Sequence, residues 1–248
     1  MPSNPAKLKL PKINKVTLRR FSLYTASPDV EFECGDGVLC LIGANGIGKS
    51  TLLSAINFCL TGIVSDPDRR FESMEEYYNH SLNFSKGYFR GRISERDREA
   101  AEIAIDFRIG NSRYSIKRGM FEPDELRGLA IANGDGGELI TMEDKTRREL
   151  QQYYAEKLTH DVGLSTFPEF VFLQHFVFTF DERRKTILWD QKILERILYL
   201  SFGMDPNLAK RVDMMRREIE SKDSQVRNFQ WQATSTRKEI SKLQQSIA

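Results

Sequence analysis

The chain has 248 residues, of which 40% are hydrophobic and 29% charged, and its formal net charge is +2. That is enough for one sizeable α/β domain plus an appendage, with a charge balance too even to name a partner. The polar, Pro/Lys-rich start MPSNPAKLKLPKINK lacks a signal-peptide core, and no run approaches the roughly 20 apolar residues of a membrane span. Cys34, Cys40 and Cys59 share no metal-ligand spacing and make no disulfide framework. Cys40 and Cys59 sit in apolar runs as expected for small buried hydrophobes, and a reducing, cytoplasmic compartment is the simplest expectation. His80, His160 and His175 stand apart from any second ligand, which argues against a metal-histidine site.

In chain order, Lys15 to Tyr24 alternates as a strand, and VEFEC (Val30 to Cys34) and VLCLI (Val38 to Ile42) are two more, joined by GDG. The second of these is almost wholly apolar, which predicts a central strand covered on both faces. GANGIGKS, Gly43 to Ser50, follows, and Lys49 to Leu60 reads as a helix with Leu52, Ile56, Cys59 and Leu60 on one face. Ser65 to Glu99 is polar and poorly periodic. Its Tyr77, Tyr78, Phe84, Tyr88, Phe89, Arg90 and Arg92 interleave aromatics with basic residues, which suits either nucleic-acid contact or a surface flap packing a few aromatics. AEIAIDFRI and SRYSIKRGMF, joined by GNS, predict an antiparallel hairpin. Leu126 to Ile140 predicts more strand around a Gly-rich turn. Thr141 to Leu158 reads as a charged helix, with Thr141 as its cap and Asp144 three residues on. Pro168 to Phe180 is apolar and aromatic, and Thr186 to Phe202 is an amphipathic helix stopped by Gly203 and Pro206.

From Leu208 the pattern changes. Leu208, Val212, Met215, Ile219, Val226, Phe229, Ala233, Ile240, Leu243 and Ile247 keep spacings of three and four, interrupted only by Lys222 and Thr236. Heptad spacing sustained over more than about five repeats predicts a coiled coil roughly 60 Å long, in need of a partner strand. The other reading is an amphipathic helix folded back on the domain. The expected division is a globular part over 1–205 and the start of a coiled-coil arm over 206–248. The heptads are still in register at Ala248, which reads as an interruption.

Gly43 to Ser50 fits G-x-x-x-x-G-K-[ST], with an apolar stretch before and a helix after. Gly43, Gly46 and Gly48 let the backbone curl around phosphates and aim N–H groups inward. The helix start adds its positive end. Lys49 is placed to bridge β- and γ-phosphates, the Ser50 hydroxyl to hold Mg²⁺, and Thr51 to reach the α-phosphate. Hydrolysis also needs an acid to organise the metal and the attacking water. FVFTFDE ends in Asp181 and Glu182, but Arg183, Arg184 and Lys185 follow and no LSGG-like signature precedes it. Those acids are either the Walker-B end of a strand or caps of the helix Thr186 to Phe202.

VTLRRFSLYTASPDVEFECGDGVLCLIGANGIGKSTLLSAINFCLTG resembles the opening of ABC-type ATPase heads of the SMC class: chromosome-structure SMC proteins, SbcC-like subunits of break-repair nucleases, RecN and RecF. Phe21 near the end of the first strand, Asn45 in a G-x-N-G-x-G-K-[ST] loop, a meander hairpin ending in Arg118, an apolar strand FVFLQ ending in Gln174, and a terminal coiled coil all match it. The run DERRKTILWD is similar to SMC-like ATPases of bacterial defence systems such as Lamassu. The resemblance implies half of an α/β P-loop head: a mixed sheet with meander hairpins around a Walker A strand-loop-helix. It implies ATP and Mg²⁺, a cradle of Gly43, Asn45, Gly46, Gly48, Lys49, Ser50 and Thr51, and Gln174 as the Q-loop residue sensing Mg²⁺ and the γ-phosphate. The LSGG signature, Walker B and switch His would come from a C-terminal half-head. A second copy would complete an ATP sandwich, acting on DNA with a nuclease or effector subunit, in the cytoplasm or on the nucleoid. Where many such heads carry Arg or Lys after the aromatic, this chain has Ser22, leaving Arg19 or Arg20 as substitutes. The expected function is an ATP-binding head segment that couples hydrolysis to DNA processing or to antiviral or antiplasmid defence. The other reading is a self-contained P-loop NTPase with Asp181 and Glu182 as Walker B and the heptads as a dimerisation stalk.

Overall fold

A computed structural model of the chain describes residues 8–247 apart from 36, 67–70, 72, 135–136, 138, 180–189 and 203–205. Residues 1–200 and 201–248 are separate compact units.

The first unit is built on one sheet. Strands β1 (Lys12–Arg19), β2 (Val30–Glu33), β3 (Glu102–Ile109), β4 (Ser112–Gly119), β5 (Gly128–Asn133) and β6 (Ile140–Thr141) lie in the order β2-β1-β3-β4-β5-β6. Every pairing is antiparallel. Strict alternation sets the register: Val16 faces Ile105, Ile105 faces Ile116 and Ile116 faces Leu129, so one buried apolar row crosses four strands. Beside it Phe107 and Tyr114 stack with centroids 4.9 Å apart. The outer face carries charge, including the Lys15–Glu31 pair at 2.7 Å.

Helices α1 (Lys49–Thr61) and α3 (Arg147–Val162) pack on this sheet, joined by α2 (Met74–Tyr88), α4 (Phe167–Phe172) and α5 (Gln191–Ser201). On α1, Leu52, Cys59 and Leu60 are buried as their spacing predicts, and the Cys59 thiol reaches Ile103 O at 3.6 Å. Burial pushes that thiol up to about 12.

Several expectations are corrected. Val38 to Ile42 forms no strand, and Val38 and Ile42 are 91% and 92% exposed. Cys40, in the same run, is exposed as well. An apolar run becomes a central strand only when strands flank it, and none among the described residues does. FVFLQ is helical, not a strand: α4 passes into a π-helical turn, Leu173–Phe178. The Glu169 carboxylate accepts from the N–H groups of Ser165 (2.8 Å) and Thr166 (3.2 Å) and so starts that helix. The cap at Thr141 is displaced by five residues. Thr141 lies in β6, and α3 starts from a reciprocal Thr146/Glu149 capping box. The aromatics of 74–89 face inward. Tyr77 and Phe89 are buried, Tyr78, Phe84 and Tyr88 pack on the cores, and the Arg92 guanidinium lies 4.3 Å from the Tyr88 ring centroid.

The second unit consists of α6 (Pro206–Ile247), one continuous helix of 42 residues. Met215, Ile219, Val226, Phe229 and Ile240 of its heptad seam are exposed. No described helix is long and apolar enough to cross a membrane.

Candidate nucleotide site

The loop Gly43 to Ser50 enters α1 through Gly48, which caps the helix at φ 95° and accepts from Leu52 N–H at 2.9 Å. Gly46 is also left-handed, at φ 85°. Gly48 has a second reason to be glycine. A Cβ there would lie 2.9 Å from Leu23 Cδ2 and 3.1 Å from Tyr24 Cε1. The Tyr24 hydroxyl donates to Gly48 O at 3.1 Å. The loop after β1 therefore buttresses the start of the phosphate helix.

Lys49 arches back over the loop, its ammonium donating to Gly43 O at 2.7 Å and Ala44 O at 2.8 Å. The first turn of α1 holds no carboxylate. A cation on a long side chain, a helix start and a loop with left-handed glycines at Gly46 and Gly48 suit a triphosphate with its divalent metal, so the residues present fit ATP and Mg²⁺. Ser50 and Thr51 begin the helix beside them.

The basic substitutes upstream differ. Arg19 is shared between Asp29 (3.8 Å) and Glu31 (4.0 Å). Arg20 is exposed and holds φ 53°, with its N–H donating to Asp29 Oδ1 at 2.8 Å. Ser22 accepts from Ser94 N–H at 2.7 Å, which ties that position to the segment after α2.

Gln174 is bound to α1. Its Nε2 donates to Asn57 Oδ1 at 2.8 Å. Asn57 Nδ2 donates to Thr179 Oγ1 at 2.9 Å, and that hydroxyl donates to Gln174 O at 2.7 Å, closing a ring. The adjacent His175 makes a second link. Its Nδ1 is 2.9 Å from the Tyr77 hydroxyl and its Nε2 is 3.2 Å from Thr61 Oγ1. Thr61 gives its proton to Asn57 O at 2.6 Å, so Nε2 carries the imidazole proton and Nδ1 accepts from Tyr77. Burial pushes His175 down to about 3, so it is neutral. Asn57 and Thr61, one turn apart on α1, thus bind neighbouring residues of the π-helical turn.

Neither Asn57, Thr61 nor Tyr24 stands out in the sequence as a site residue, because none belongs to a motif, and Tyr77 is legible only as one aromatic of the segment 65–99. The i, i+4 spacing of Asn57 and Thr61 on the phosphate helix is the available signal. Asp181 and Glu182 lie outside the described residues. The described part of the following helix starts at Gln191, where Asp190 Oδ1 accepts from the N–H groups of Lys192 (3.0 Å) and Ile193 (3.2 Å). Among the described residues no group of three His, Cys, Asp or Glu could hold a metal ion.

A family described as AAA domain matches residues 15–248 of the chain. The chain is also similar to the SbcC subunit of the nuclease SbcCD of Vibrio cholerae serotype O1, with 26% identity over 140 residues. That alignment takes in 51% of this chain and 12% of the relative. The chain therefore corresponds to a small part of that protein's length.

Proposed function

Because this chain belongs to the AAA domain family, we propose that it is the ATP-binding half of an SbcC-like head whose hydrolysis requires a complementing C-terminal half-head. Backbone N–H groups of Gly43, Asn45, Gly46 and Gly48 cradle the phosphates, Lys49 bridges the β- and γ-phosphates, and Thr51 reaches the α-phosphate. Ser50 and Gln174 hold Mg²⁺, which when bound neutralises charge on the phosphate oxygens. The observation that carries this reading is the Lys49 ammonium, held by the loop carbonyls of Gly43 and Ala44 at a helix start free of acids.

The exposure of Val38 and Ile42 supports the need for a complementing half. An apolar run beside the phosphate loop is a strand site awaiting strands to pair with. The exposed heptad seam of α6 likewise suits an antiparallel coiled-coil partner. The proposed assembly pairs two copies across two ATP molecules in the cytoplasm and couples head engagement to DNA. The relative's name makes it one part of a nuclease, so a nuclease subunit is the preferred partner, in DNA repair or in defence.

The test is calorimetric titration of the chain with ATP and Mg²⁺. Binding is expected to weaken at least about tenfold in Lys49→Ala, the scale of losing charge-assisted contacts to phosphate. Equal affinity in the two proteins would overturn the assignment of the site.

A further inference from the structure

The carbonyl oxygen of Gly48 accepts twice: from the Tyr24 hydroxyl at 3.1 Å, and from Leu52 N–H at 2.9 Å in the first helical bond of α1. The N–H groups of Lys49, Ser50 and Thr51 precede that bond and have no acceptor within the helix. Gly48 O and Lys49 N–H belong to one planar trans peptide, so they point in opposite directions. With the carbonyl aimed down the helix, Lys49 N–H is aimed out of the helix start. Holding one end of this peptide therefore holds the other. Tyr24 is itself well held. Its ring packs on that of buried Phe21, with centroids 5.2 Å apart. Its N–H donates to Phe21 O at 3.0 Å, and its carbonyl accepts from Ser27 N–H at 3.1 Å. Burial raises the pKa of its hydroxyl, which stays a donor at neutral pH.

We propose that Tyr24 is a positioning residue for bound phosphate: through the Gly48–Lys49 peptide, its hydroxyl aligns Lys49 N–H and strengthens it as a donor to a phosphate oxygen. The inference rests on the reading of Gly43 to Ser50 as a phosphate cradle. Two effects act together. Two donors on Gly48 O restrain rotation of the peptide plane, so its N–H is oriented before the ligand arrives. A carbonyl that accepts a hydrogen bond also polarises its own amide, so bonds in such a chain strengthen one another. The contact needs a glycine, because a Cβ at position 48 would lie 3.1 Å from Tyr24 Cε1. Lys49 then serves phosphate twice, by its ammonium and by its backbone N–H, and only the second contact runs through Tyr24.

The experiment measures affinities of the intact chain for ATP, ADP and inorganic tripolyphosphate, each with Mg²⁺, by calorimetry. The proteins are the wild type, Tyr24→Phe, Tyr154→Phe and Lys49→Ala, each checked for its fold by circular dichroism. Tyr24→Phe keeps the ring and loses only the donor. It is expected to weaken all three ligands by the same factor, about three- to tenfold, the scale of one net hydrogen bond. Tyr154 makes the same kind of bond at the other end of α1, donating to Leu60 O at 2.8 Å. Tyr154→Phe should therefore lower the melting temperature and leave all three affinities unchanged. In the tripolyphosphate complex the amide proton resonance of Lys49 should move upfield in Tyr24→Phe, as its bond to phosphate weakens. The proposal is overturned if Tyr24→Phe binds ATP as tightly as the wild type, if Tyr154→Phe weakens binding as much, or if the Lys49 resonance does not move. A loss seen with ATP and ADP but not with tripolyphosphate also overturns it, by placing the hydroxyl on the nucleoside. Failure of the site itself would show separately, as ATP affinity insensitive to Lys49→Ala.

Discussion

The guanidinium of Arg118 meets the side-chain oxygen of Gln151 at 2.7 Å inside the core, and among the described residues no carboxylate pairs with it. All its partners are neutral. Nε donates to Cys59 O at 3.1 Å, and Nη1 to Pro123 O at 2.7 Å and Glu125 O at 2.9 Å. Burial pulls its pKa down, yet an arginine stays charged under ordinary conditions. Cys59 O belongs to the last turn of α1, where helix carbonyls lack partners and carry the negative end of the dipole. The Tyr154 hydroxyl takes Leu60 O at 2.8 Å. Arg118 and Tyr154 therefore anchor the far end of the helix whose near end forms the phosphate loop.

Arg118→Met is accordingly expected to destabilise the chain by about 3–5 kcal/mol, because four acceptors, three of them buried, lose their donor. Arg118→Lys keeps the charge but not the fork, and should cost about 2 kcal/mol. Urea unfolding checks both. A lysine variant as stable as wild type would show that the fork is dispensable.

His175 gives the fold a pH dependence with a definite sign. Its folded value, about 3, lies below the ordinary value of 6.5. The unfolded chain therefore takes up a proton first as pH falls, and stability is lost on descending from about 6.5 toward 3. The slope is at most about 1.4 kcal/mol per pH unit. His175→Gln, which does not titrate, should flatten that part of the profile. Thermal melts between pH 7 and 4.5 measure it, and parallel profiles for the two proteins would contradict the assignment of His175 as buried and neutral.

Gly48 and Gly62 bracket α1, and both are left-handed, at φ 95° and 75°. A Cβ on Gly62 would lie 2.3 Å from Pro123 O, a backbone atom that Arg118 already holds. On Gly48 it would meet only the side chains of Leu23 and Tyr24. Gly62→Ala should thus be the more destabilising, by roughly 2–4 kcal/mol against about 1–2 kcal/mol for Gly48→Ala. Only Gly48→Ala should weaken ATP binding beyond its effect on stability. Equal losses of binding in the two variants would contradict this division.

The hairpin of β3 and β4 is legible in the sequence because Ile103, Ile105, Phe107, Tyr114 and Ile116 alternate with polar residues, and a period of two has one structural meaning. The phosphate loop is legible as a motif. Val38 to Ile42 misleads because an apolar run states a demand for neighbours without saying where they are. FVFLQ misleads because a short apolar run fits a helix or a strand equally. Pro168 and Glu169 behind Thr166 are the helix-start signal that decides it. The ties of Asn57 to Gln174 and of Thr61 to His175 join positions 117 and 114 residues apart, and no local pattern encodes them.

The most direct test of the central claim is steady-state ATP hydrolysis by this chain over a concentration series, with Lys49→Ala as the baseline, repeated after adding a half-head that carries the signature motif and Walker B. The account predicts a baseline rate for the chain alone and Lys49-dependent turnover once the complementing half is present. Robust Lys49-dependent turnover by the chain alone would contradict it, and would assign the metal-organising and water-activating roles to Asp181 and Glu182.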